Sequence, residues 1–250
     1  MSALVDNRRG RLSRYAPWIA RDYFMNQGPS TAIVLLLIGF LSMQGVGGAE
    51  GFARLPEEIA ARVLRGLLGV LVFLGTFFAT NGIIANDRKF SYYRFLFSKP
   101  VNPLAYYAVT FVAYGVGLLV VTLALLGAWA LAVRPMFPPE LFAVVALMYL
   151  AYGGIGFLLS ALWRFDWMSL VTVLLVANVG WSLWGQSTGV GYALLHLLPP
   201  VHRADAVYAI VMGQPSGETP WGAIAWLGGY GLTCFLLGLV VLRKRPLGSA

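Results

Sequence analysis

The sequence is poor in charge and in the side chains that do covalent chemistry. Only 11% of its 250 residues are Asp, Glu, Lys or Arg, less than half the roughly 25% usual in a soluble domain. That scarcity excludes a disordered chain, a basic nucleic-acid-binding domain and an ordinary cytosolic enzyme. Cys234 is the single cysteine, so neither an internal disulfide nor a cysteine cluster can form. The three lysines are Lys89, Lys99 and Lys244. None sits in a Gly-x-x-x-x-Gly-Lys-Ser/Thr string, whose backbone N–H groups and lysine together hold phosphates. The chain therefore cannot hydrolyse ATP by that route. The two histidines, His196 and His202, lie six apart with Asp205 nearby. A metal site needs three or four converging ligands, and a helical spacing of six points two rings to different faces. Paired aspartates, a Ser/His pair or His-Glu-x-x-His within an apolar segment are also lacking, so no enzymatic activity, cofactor or metal is expected in this chain.

What the chain has instead is apolar length. It is 59% hydrophobic. Six stretches free of Asp, Glu, Lys and Arg are long enough to span a bilayer: 23–49, 66–86, 100–133, 141–163, 167–202 and 219–242. About 20 apolar residues cross a hydrocarbon core roughly 30 Å thick, and inside lipid the backbone must be satisfied as helix. Prolines, glycines and charges set the expected ends. Spans are predicted at 30–47, starting after Gly28-Pro29-Ser30, then 63–85, 104–133, 140–163, 167–185 and 221–242. The fold class is thus all-α, one polytopic transmembrane domain over 1–250. Within 190–212, the piece Tyr192 to Leu198 is too short to cross and Pro199-Pro200 follows it, so this region reads as a re-entrant or interfacial segment. Residues 1–29 show no early apolar core, and no cleavable signal peptide is expected.

Charge placement gives an orientation. With both termini cytoplasmic, 13 of the 18 basic residues face inward, as the positive-inside rule prefers. Residues 11–27 form an expected interface helix: Arg11, Arg14 and Arg21 share one side, and Leu12, Tyr15, Ala16, Ile19 and Tyr23 another. The net charge of +8 is then a matter of topology, and no nucleic-acid partner is expected.

The segment after the second span is both charged and aromatic: Asp87-Arg88-Lys89-Phe90-Ser91-Tyr92-Tyr93-Arg94-Phe95-Leu96-Phe97-Ser98-Lys99-Pro100. Phe90, Tyr93 and Phe97 recur at helical spacing, and Pro100 ends the helix. So many aromatics suggest a docking surface, although an aromatic belt at the membrane interface has the same composition.

A basic N-terminal helix, six spans and a first cytoplasmic loop ending Leu96-Phe97-Ser98-Lys99-Pro100-Val101 together resemble the ABC-2 type transporter permeases. Asp87 matches the acidic residue the family carries after its second span, commonly Glu there and one methylene longer. The resemblance implies that 86–99 is a coupling helix docked on a separate ATP-binding subunit. Phe90, Tyr93, Leu96 and Phe97 would be its apolar anchors, and Asp87, Arg88, Arg94, Ser98, Lys99 and Pro100 its remaining contacts. It further implies a second permease subunit, identical or related, export of cargo, a bacterial or archaeal plasma membrane, and ATP and Mg bound by the partner. By position, Thr80 and Asn81 on the second span and Asn178, Trp181 and Ser182 on the fifth become candidates for the translocation path or dimer interface. Hydrogen bonding between helices is the structural alternative for them. The few polar residues in the spans suit an amphipathic or hydrophobic substrate. Expected spans without a central ionisable residue argue against an ion-coupled carrier, which remains an alternative beside a non-transporting membrane scaffold.

Overall fold

A computed structural model describes residues 16–44, 47–80, 83–84, 87, 102–132, 140–163, 166–186, 188, 190–211 and 220–244. Among these residues the regular structure is entirely helical. In chain order the elements are α1 (16–44), α2 (Gly48–Ala53), α3 (Glu57–Thr80), α4 (Pro103–Ala132), α5 (Glu140–Leu162), α6 (Asp166–Trp184), α7 (Val190–Leu195), α8 (Ala204–Val211) and α9 (Pro220–Lys244).

Among the described residues, four helices are long and apolar enough to cross a membrane: Ala16–Leu41, Pro103–Ala128, Glu140–Leu162 and Trp221–Lys244. The chain therefore has the character of a membrane protein. The other two expected spans form helices with shorter apolar sections, Leu68–Thr80 and Met168–Trp184. The reason in α3 is visible in the sequence, because its first turns carry Glu57, Glu58, Arg62 and Arg65. The 17-residue section of α6 rises about 25 Å at 1.5 Å per residue, a little short of the roughly 30 Å core.

The first helix departs from expectation. The sequence predicts a separate interface helix and a break at Gly28-Pro29-Ser30; the structure runs one helix from 16 through 44. A π-helical turn, Tyr23–Gln27, makes this possible, and the Gly28 N–H donates to the Tyr23 carbonyl five residues back. Proline clashes with the carbonyl four residues earlier and donates nothing. The widened turn just ahead of Pro29 absorbs that misfit. The expected segregation of faces holds over the described part: Ile19 and Tyr23 are buried while Arg21 is exposed. Extending the helix also places Arg21 and Asp22 within a long apolar helix, where the sequence reading had no ionisable group.

α5 is the centre of the molecule, buried along most of its length. Its closest neighbour is α9. A Cβ on Gly154 would meet the Gly231 carbonyl oxygen, and a Cβ on Gly231 would meet the Leu150 carbonyl oxygen. Only a side chain of hydrogen lets two backbones approach so near, the usual basis of tight helix pairs in lipid. Some other small residues on the long helices make no such backbone crossing. Gly156 instead faces Leu170 and Thr80, and Ala124 and Ala128 are exposed.

Contacts fix the directions. Gly228 packs on Leu147 and Gly238 on Phe157, so α9 runs parallel to α5. Phe73 meets Tyr152 and Thr80 meets Gly153 and Gly156, so α3 runs the same way. α4 runs against them: Phe111 packs on Phe157, while Gly115 faces Tyr149. The Tyr149 hydroxyl secures that pair by donating to the Phe111 carbonyl at 2.6 Å. α6 is likewise reversed, with Leu170 beside Gly156 and Asn178 near Tyr152. Residues 190–211 fold as two short helices, α7 and α8, joined through Pro199-Pro200 and the 3-10 turn Val201–Arg203. The Tyr230 hydroxyl of α9 donates to the Leu197 carbonyl at 2.8 Å and ties this hairpin to the bundle.

Candidate functional site

Asp87 stands at the head of the segment the sequence singles out. It is not a solvated loop charge, being only 9% exposed. The Tyr107 hydroxyl of α4 donates to its Oδ2 at 2.9 Å. Burial pushes the Asp87 carboxyl up from the ordinary carboxylate range to about 6. The Tyr107 hydrogen bond opposes that rise, and the negative charge of Asp22 adds to it.

Asp22 belongs to α1. Its Oδ2 accepts from the Tyr114 hydroxyl at 3.0 Å and its Oδ1 accepts from the Asn26 amide at 2.7 Å. Tyr107 and Tyr114 are seven residues apart, two turns of one helix, and so lie on one face of α4. Neighbouring turns pack the same way: Tyr23 is fully buried with its ring 5.0 Å from that of Tyr114, and a Cβ on Gly117 would strike the Tyr23 ring. One face of α4 thus holds both α1 and the start of the charged aromatic segment. Sequence reasoning named Asp87 but missed Asp22, Tyr107 and Tyr114. The available signal was the seven-residue tyrosine spacing in an otherwise apolar helix.

Arg88, Phe90, Tyr93, Arg94, Leu96, Phe97, Ser98, Lys99 and Pro100 lie outside the described residues, as does Asn81. The other path candidates are placed, and they separate into two groups. Thr80 is buried in the bundle, donates to the Thr76 carbonyl at 2.8 Å and packs on Gly153 and Gly156. Leu170 lies at the same level of α6, and Asn178 is eight residues on, about 12 Å along the axis. Thr80 and Asn178 therefore do not meet.

Asn178, Trp181 and Ser182 cluster where α6 meets the hairpin. Asn178 lines a cavity of about 330 Å³ between α3, α5, α6 and the 201–208 stretch. Trp181 is half-buried, with the His202 ring 3.9 Å and the His196 ring 5.5 Å from its own. Ser182 is exposed and donates to the Val179 carbonyl at 2.9 Å. The two histidines, expected to diverge, flank one indole because a turn intervenes between them. Among the described residues no three His, Cys, Asp or Glu side chains converge as a metal site. The chain matches no family model, no curated protein and no solved structure.

Proposed function

We propose that this chain is a six-span permease subunit of the ABC-2 type, with both termini cytoplasmic in a bacterial or archaeal plasma membrane. A separate ATPase subunit would dock on 86–99, and a second permease subunit would complete the path for an amphipathic or hydrophobic substrate. The alternating directions of α3, α4, α5, α6 and α9 support six crossings, since consecutive spans must reverse. Hydrophobic mismatch of a few ångströms at α3 and α6 costs little, because lipid thins locally to meet short spans.

One observation carries the mechanism: the buried Asp87–Tyr107 bond beside the Asp22–Tyr114 bond. A docking helix that began as a free loop would absorb any movement of its partner. Here Asp87 is fastened to α4, and the same face of α4 is fastened to α1. A displacement of 86–99 by an ATPase would be delivered to two long helices at once, biasing one packing of the bundle over another.

The same observation favours a second reading, an ion-coupled carrier, because buried carboxylates are the usual proton sites of such proteins. The two separate cleanly. The protein is purified from native membranes in mild detergent as wild type and Phe97→Asp, and co-purifying proteins are identified. An ATPase that accompanies wild type and is absent from a folded, inserted Phe97→Asp supports the permease. Wild type that captures no ATPase, yet moves cargo under a pH gradient alone, replaces it with the carrier.

A further inference from the structure

The 190–211 hairpin does not lie flat on the membrane surface. Its Leu197 carbonyl accepts from Tyr230, ten residues beyond the start of α9 at Pro220 and so about 15 Å along that helix. Leu195 and Leu198 pack on Gly180, four residues before the end of α6 at Trp184. Asp205 of α8 shares a cavity with Tyr152, twelve residues beyond the start of α5 at Glu140 and about 18 Å along it. Measured against α5 and α9, two of the long apolar spans, the hairpin reaches about halfway into a hydrocarbon core roughly 30 Å thick.

Irregular backbone at that depth persists only where protein buries it or where it lines water. Pro199 and Pro200 are buried. The residues that follow, Val201, His202 and Asp205 among them, line the cavity of about 330 Å³. That cavity reaches the surface of the bundle, because Asn178 and Asp205 both line it and both are exposed. The Asn178 side-chain amide makes no hydrogen bond among the described residues. Hydrocarbon offers such an amide no partner, and leaving it unmet there is costly.

Helix length points the same way. The cavity is flanked by α3 and α6, the two helices whose apolar sections, Leu68–Thr80 and Met168–Trp184, fall short of the four long spans. A helix that borders water for part of its length needs less apolar length. At about 30 Å³ for each molecule, the cavity has room for on the order of ten waters.

We propose that this cavity is a water-filled vestibule, open on the face of the membrane that bears the hairpin and reaching the middle of the bilayer between α3, α5, α6 and the hairpin. The inference rests on the membrane-spanning reading and on neither the ATPase nor the cargo. With both termini cytoplasmic, the open face is the outer one.

The test is the reaction of single cysteines, in a Cys234→Ala background, with a membrane-impermeant cationic methanethiosulfonate added outside sealed right-side-out vesicles. Asn178→Cys and Val201→Cys sample the vestibule from two elements, which guards against one variant misfolding. Leu175→Cys, three residues from Asn178 and 61% exposed on the apolar surface, samples the lipid. Both vestibule positions are expected to react at least about tenfold faster than Leu175→Cys, because the thiolate is the reacting form and a thiol facing hydrocarbon stays protonated. The same pattern obtained only from the cytoplasmic face would support the vestibule and overturn the orientation given above. No reaction at Asn178→Cys or Val201→Cys from either face, or reaction at Leu175→Cys just as fast, would overturn the proposal.

Discussion

Asp87 should cost the protein stability at neutral pH, and replacing it should recover that stability. Its carboxyl is raised from 3.8 to about 6 by burial. Two units at about 1.4 kcal/mol each amount to about 3 kcal/mol between the charged and neutral forms. The sign follows from linkage. Between pH 6 and pH 4 the folded state holds a proton that the unfolded state has released, so folding is favoured by acid. The stabilising contribution is complete below the unfolded value near 4 and is lost as pH rises through about 6. Asp87→Asn is neutral at every pH, and its Oδ1 still accepts from Tyr107. In maltoside micelles at pH 7.5 the variant is expected to be more stable than wild type by about 3 kcal/mol, with the gap closing toward pH 4. Chemical or thermal unfolding at four or five pH values reads this directly. A variant less stable than wild type at pH 7.5, or a gap that ignores pH, would refute the reasoning and mean that a cation pairs with Asp87.

Gly231→Leu should break the α5–α9 crossing, because its Cβ alone would meet the Leu150 carbonyl oxygen and Ala151. A loss of about 3 kcal/mol or more is expected in thermal unfolding, beyond the roughly 1–3 kcal/mol of ordinary overpacking. Gly229→Ala, with nothing within 4 Å of the new Cβ, should instead be neutral or gain up to about 1 kcal/mol. Tyr230→Phe removes the bond to the Leu197 carbonyl and should cost about 1 kcal/mol. Faster amide exchange in 190–211 than elsewhere would mark the hairpin as the part released.

Much of the architecture was legible because apolar length leaves few choices. Uncharged runs located the six long helices seen among the described residues, and the ends at Leu162, Trp184 and Pro220 fall within two residues of expectation. Pro199-Pro200 marked the break between α7 and α8. The first helix was misread at Pro29, since a proline signals a break only until a π turn widens the helix ahead of it. Gly231 was passed over for the opposite reason. A close helix crossing is a property of two surfaces, and neither glycine announces its partner. The site behaved likewise. Asp87 was conspicuous beside a charged aromatic run, whereas Asp22, Tyr107 and Tyr114 acquire meaning only when α1 and α4 are laid together. Trp181 and the two histidines needed a folded hairpin before they could share a surface.

The central claim is that 86–99 is a cytoplasmic surface covered by an ATPase subunit. It is tested most directly by the reactivity of Ser98→Cys, in a Cys234→Ala background, toward a membrane-impermeant maleimide. In sealed vesicles of defined orientation, the account predicts labelling from the cytoplasmic face only and at least about tenfold slower labelling when the ATPase partner is bound. Labelling from the outer face, or a rate that the partner leaves unchanged, would contradict it.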